Sequence, residues 1–127
     1  MADTLFSERV QENALPYTVY TALITQTSTN SPVATILENT TGATLTWAYV
    51  STGRYTLTSD IGSLFNTAKT VINTQALRST PGSNSFSFEV GSNTGTVITF
   101  FTKTPPGFET ETDDALSNSF IEIRVYP

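Results

Sequence analysis

Between Pro32 and Thr58 the chain reads PVATILENTTGATLTWAYVSTGRYTLT. No other stretch constrains the fold as tightly. In Ala43 to Val50, the residues Ala43, Leu45, Trp47 and Tyr49 alternate with Thr44, Thr46 and Ala48. Successive side chains of a strand point to opposite faces, so this period of two makes one face apolar and the other mostly hydroxylated. The turn Ser51-Thr52-Gly53 follows, after which Tyr55 and Leu57 alternate with Arg54, Thr56 and Thr58. The two segments predict a β-hairpin. Threonine, a β-branched residue that suits pleated surfaces, supplies about a fifth of the chain.

The same patterning extends in both directions. In Tyr17 to Gln26 both phases are apolar, with Tyr17, Val19 and Leu23 on one side and Tyr20, Ala22 and Ile24 on the other, which predicts a strand covered on both faces. Val33 to Glu38 predicts a second strand, turned by Asn39-Thr40-Thr41-Gly42 into the hairpin. Asp60 to Thr70 places Ile61, Leu64, Phe65 and Ala68 near helical spacing, so a single turn or short helix is expected there. Val71 to Leu77 reads as a strand, and Arg78 to Asn84 as a turn around Pro81-Gly82. Ser85 to Val90 and Thr96 to Thr102 form a second hairpin across Gly91 to Gly95. Pro105-Pro106-Gly107 cannot continue a central strand, because proline lacks the amide donor. Glu109 to Thr112 is expected to pair with the last strand, Phe120 to Tyr126, across an Asp113 to Asn118 loop.

These segments predict an all-β fold, an antiparallel β-sandwich or jelly-roll-like domain over residues 16–127. Residues 1–15 are expected to form an N-terminal arm or short helix carrying Leu5, Phe6, Val10 and Leu15, closed by Pro16. At 127 residues one domain buries roughly two-thirds of the surface its unfolded chain exposes.

Composition removes several kinds of chemistry. There is no cysteine and no histidine, so thiolate metal sites, disulfides and the usual general base of serine and cysteine hydrolases are excluded. Six basic against eleven acidic residues give a net charge of −5 without a basic cluster, which argues against a nucleic-acid partner. The start, MADTLFSERVQENA, reads as neither a secretion signal nor a membrane span. Glycines do not assemble into a nucleotide-binding loop, and no cofactor is expected.

The acidic residues Glu109, Glu111, Asp113 and Asp114 can be read as a calcium site, as an acid/base pair, or as a solvated loop. Lys69 and Lys103 have hydroxyl neighbours, as nearly every residue in this chain does. Trp47, Tyr49 and Tyr55 fit either a sugar-stacking groove or the core, and share the phase of Leu45. Asn39-Thr40-Thr41 matches a glycosylation sequon and also fits a turn. Phe108 fits either a partner contact or a loop anchor. Glu122 and Arg124 share one face of the last strand with Phe120 and Tyr126, a face to be covered by another chain or by the protein's own elements. The candidate contact residues are therefore Leu5, Phe6, Tyr17, Tyr20, Phe108, Phe120 and Tyr126.

The runs Val19-Tyr20-Thr21-Ala22-Leu23-Ile24-Thr25-Gln26, Pro32-Val33-Ala34-Thr35-Ile36-Leu37-Glu38-Asn39-Thr40 with Gly42, and Ser119-Phe120-Ile121-Glu122-Ile123-Arg124-Val125-Tyr126 resemble short uncharacterised proteins of tailed bacteriophages and prophages. The middle, Asp60 to Asp114, departs from them. The resemblance implies a virion accessory protein made in the host cytoplasm: a capsid decoration, head-fibre or small tail protein, with no catalytic residue to carry over. The doubly apolar first strand and the mixed aromatic face of the last predict a stable homo-oligomer, for which the resemblance favours a trimer, and the resemblance also implies docking on a major capsid or fibre protein. The alternative is a receptor-binding or glycan-binding tail-fibre module, and an enzyme using Glu109, Glu111 or Asp114 is the remaining reading. Removal of residues 1–14 is expected to leave the β signal in circular dichroism unchanged and to lower the assembled mass in light scattering.

Overall fold

Both expected hairpins are present. The computed structural model describes residues 16–75, 86–104 and 110–127. Its strands are β1 (Thr18–Thr25), β2 (Val33–Asn39), β3 (Leu45–Ser51), β4 (Arg54–Ser59), β5 (Thr70–Gln75), β6 (Ser87–Asn93), β7 (Val97–Thr104), β8 (Thr110–Glu111) and β9 (Ser119–Val125). They form two sheets, ordered β2-β1-β9-β5 and β3-β4-β7-β6, with β8 paired to β7. Every pairing is antiparallel. The architecture is a β-sandwich, and among the described residues there is no helix.

The period-two reading explains which faces meet. Tyr20, Ala22 and Ile24 of β1 and Ile121 and Ile123 of β9 turn inward from the first sheet, and Trp47, Tyr55, Leu57, Ile98 and Phe100 from the second. Burying one such aliphatic or aromatic side chain contributes about 1.5–3 kcal/mol. Trp47 and Phe100 rings lie 5.2 Å apart, Phe88 and Phe100 5.5 Å apart, both tilted. Across the sandwich, Trp47 Nε1 donates to the Tyr20 hydroxyl at 3.1 Å. Burial raises the Tyr20 phenol above its ordinary value, and this bond partly opposes the shift.

Three one-residue register slips mark β-bulges at Leu37 in β2, Val50 in β3 and Gly91 in β6. All three lie on outermost strands, where a bulge twists the exposed margin. The fourth outermost strand, β5, is joined to the other sheet by Thr74 Oγ1 donating to Phe88 O at 2.6 Å.

Several expectations are corrected. Asp60 to Thr70 forms successive turns, with Ser63 at φ 59°, because Phe65 is held by the β6–β7 turn. Its N–H donates to Gly95 O at 2.7 Å and its carbonyl accepts from Asn93 Nδ2 at 2.9 Å. Gly91 lies within β6 as a bulge residue instead of in the turn. β8 pairs with β7, not with the last strand, because Thr112 N donates to Thr102 O and Thr102 Oγ1 to Thr112 O. β5 ends at Gln75 as described, and the Arg78 to Asn84 turn, residues 1–15 with Leu5 and Phe6, and Phe108 and Glu109 lie outside the described residues.

Tyr20→Phe strands the indole N–H of Trp47 in the core. A loss of about 1–3 kcal/mol is expected, read as a lower urea midpoint at unchanged slope.

Candidate functional site

Among the described residues, a network of polar side chains comes together where β1 ends and the segments 26–31, 51–53 and 112–118 converge. Gln26, one residue past β1, is only 2% exposed. Its Oε1 accepts from the Tyr55 hydroxyl at 2.9 Å and from Asp114 N at 2.9 Å. Its Nε2 donates to Ser28 O at 2.6 Å and Asn30 O at 3.1 Å. An amide has four such positions and here all are filled. Tyr55 lies on β4 of the opposite sheet, so the same amide bridges the sandwich.

The acidic segment is bound into this end. Asp113 accepts from Gly53 N at 2.8 Å through Oδ1 and from the Tyr49 hydroxyl at 3.0 Å through Oδ2. Asp114 Oδ1 accepts from Ser28 N at 2.6 Å. Glu111 pairs with Arg54 at 2.8 Å. Gly53 has φ +63°, and a Cβ there would lie 2.6 Å from Thr102 O and closer still to Thr112 N, so the β3–β4 turn requires glycine. Ser28, Asp114 and Asn118 also have positive φ. Asn118 is tied to β1, its N–H donating to Thr25 Oγ1 at 3.0 Å.

Titration follows from this burial. Desolvation pushes the Tyr55 phenol up to about 12, opposed by its bond with Thr102 and reinforced by Asp113, Tyr49 and Asp114. Burial raises Tyr49 too, opposed by Thr52 and reinforced by Asp113. Glu111, Asp113 and Asp114, the described carboxylates of the acidic segment, each accept a hydrogen bond from the protein's own donors. Among the described residues, no three acidic side chains come together as a possible metal-binding group.

The expected contact residues divide. Tyr20 is corrected to a core residue, fully buried in its own chain, because its ring falls in phase with Ala22 and Ile24. Tyr17, Phe120 and Tyr126 are half-buried. Tyr17 and Tyr126 rings lie 5.2 Å apart, and the Arg124 guanidinium sits 4.8 Å from the Tyr17 centroid. Arg124 Nε donates to Glu122 at 2.6 Å, and its already high value is raised first by that bond and then by Tyr126. Beside them Tyr17, Tyr126, Thr41, Leu64 and Val125 line an open groove of about 410 Å³. Trp47 and Tyr55 are core, and Tyr49 is half-buried at its margin. Asn39 makes a local turn, accepting from Thr41 N at 3.1 Å and donating to Ala43 O at 2.9 Å.

One cluster escapes sequence reasoning. The Phe101 ring has Arg54 4.8 Å and Lys103 5.0 Å from its centroid, and each cation carries a carboxylate, Glu111 at 2.8 Å and Glu89 at 2.9 Å. Arg54 opposes Phe101 and Glu89 opposes it from the other side, an adjacency that only the strand order reveals.

Comparison with protein-family models, with curated proteins and with solved structures found no match to this chain.

Gln26→Leu leaves the Asp114 N–H without its acceptor and the Tyr55 hydroxyl with only the 3.4 Å contact to Thr102, and a loss of about 1–3 kcal/mol is expected, measured by urea unfolding. Unfolded Tyr55 ionises near pH 10 but the folded phenol holds its proton to about 12, so the unfolded state loses its proton first. Stability is expected to be undiminished by this group below pH 10 and to fall from pH 10 to about 12, read from thermal midpoints; Tyr55→Phe flattens that slope.

Proposed function

We propose that the protein is a non-enzymatic structural component of a phage particle that docks on the capsid or on a fibre base and associates with its own copies. One observation carries the reading. Large apolar side chains stand exposed along all four outermost strands: Val33, Ile36 and Leu37 on β2, Val50 on β3, Val71 on β5 and Val90 on β6. Single exposed aliphatics are ordinary on protein surfaces, but their repetition along every margin suits contact with neighbours. The thinly charged, hydroxyl-rich remainder suits repeated docking, in which many weak contacts add by multivalency. The resemblance of β1, β2 and β9 to phage proteins gives the same direction.

A second reading, a receptor- or glycan-binding fibre module, is favoured by the groove beside Tyr17 and Tyr126, whose rings offer a stacking face for a sugar.

The test is electron microscopy of particles assembled with and without the protein. Extra density at repeated positions on the capsid or fibre base, together with co-sedimentation of purified protein with bare particles, is expected. Protein that neither co-sediments nor adds density would overturn the reading, and glycan-array binding lost on Tyr126→Ala would support the second one.

A further inference from the structure

Resting on the self-association read above, we propose that β2 pairs antiparallel with β2 of a second copy across a two-fold axis at Thr35, joining the two first sheets into one continuous sheet. Among the described residues β2 bonds to β1 on one side and to nothing on the other. It therefore presents a row of backbone donors and acceptors that only another extended strand can satisfy in series. Val33 is 68%, Ile36 53% and Leu37 58% exposed, an apolar load that none of the other outermost strands carries. β3 and β6, each bulged as β2 is, have a single exposed valine, and β5 is joined to β6 through Thr74.

The register of self-pairing follows from the strand itself. Facing residues of an antiparallel pair share a face, so a two-fold axis must pass a residue and not a peptide bond. The regular run of β2, between Pro32 and the bulge at Leu37, is Val33 to Ile36, and of its two central residues Ala34 is half-buried and Thr35 exposed. Pairing there sets Thr35 opposite Thr35 and Ala34 opposite Ile36, with each Val33 reaching the start of the other copy's bulge. The two Ile36 side chains become diagonal neighbours on one face, about 7–8 Å apart. Ile36 lies opposite Ala22 of β1, so this contact extends the apolar inner face across the junction.

Charge permits the same register. β2 carries one ionisable residue, Glu38. In the pair each Glu38 lies past the bulge, toward the Pro32 end of the other copy's strand, and the two carboxylates are about six residues apart along the ladder, roughly 20 Å. That exceeds the Debye length of about 8 Å at physiological salt, so a chain of net charge −5 meets its copy at this edge with little local repulsion. The product is a two-fold pair, where the resemblance alone implies a trimer.

The chain has no cysteine, so a single introduced thiol reports on the axis without interference. Facing Cα atoms of an antiparallel pair lie about 4.5–5.5 Å apart, inside the range a disulfide spans. Thr35→Cys is expected to cross-link between copies at least about tenfold faster than Val71→Cys, an exposed control on β5, under mild oxidation. Ile36→Lys, which sets two ammonium groups diagonally on one face, is expected to shift the mass in light scattering from dimer to monomer with an unchanged circular dichroism spectrum. Equal cross-linking of the two cysteine variants in a protein that is still oligomeric overturns β2 pairing and leaves self-association standing. A monomeric wild type at 100-micromolar concentration, on the order of a Kd too weak for a stable interface, overturns both.

Discussion

The sandwich is closed at one end by a single side-chain amide. Gln26 receives a hydroxyl from the opposite sheet and an amide N–H from Asp114, and gives both its hydrogens to the carbonyls of the loop that follows β1. A buried amide with all partners made is near neutral in net energy, whereas one with a partner missing costs the whole desolvation penalty of the orphaned group. The arrangement is therefore selective more than strong. It admits one relative placement of the sheets, that in which Tyr55, Asp114, Ser28 and Asn30 all reach Gln26 at once. Asp113 repeats the logic a few residues away by joining the β3–β4 turn to Tyr49.

The strands were legible because one face of each is apolar and the other hydroxylated, a signal that survives without knowledge of what packs where. Trp47 shows this: its phase with Leu45 and Tyr49 assigns it to the core, and it is buried there against Phe100. The failures share a different cause. Ile61, Leu64, Phe65 and Ala68 carry helical spacing, yet the backbone of Phe65 is taken by Gly95 and Asn93, about 28 residues away in sequence, so tertiary bonds override the local period. Bulges at Leu37, Val50 and Gly91 shift the phase by one residue, and alternation on a single strand cannot show which partner forces the slip.

The polar end was legible only in part. The acidic run Glu111 to Asp114 stands out in the sequence, but its partners, Arg54, Gly53, Tyr49 and Ser28, are scattered over the preceding residues. Their convergence depends on β8 joining β7 and not β9. Gln26 gave no signal, because a glutamine after an apolar strand reads as the first solvated residue of a loop. Phe101 between Arg54 and Lys103 was equally hidden, as it follows from the neighbour order β4-β7-β6.

The pairing of β1 with β9 has a mechanical corollary. Thr18, where the first strand begins, lies opposite Val125, where the last one ends, so the chain enters and leaves the domain side by side. Tension applied through both flanks would open that ladder rung by rung, like a zipper, instead of loading all its bonds together in shear. A pull along this direction would meet those bonds one at a time, while a pull from the β3–β4 turn would also meet the clasp of Asp113 and Gly53.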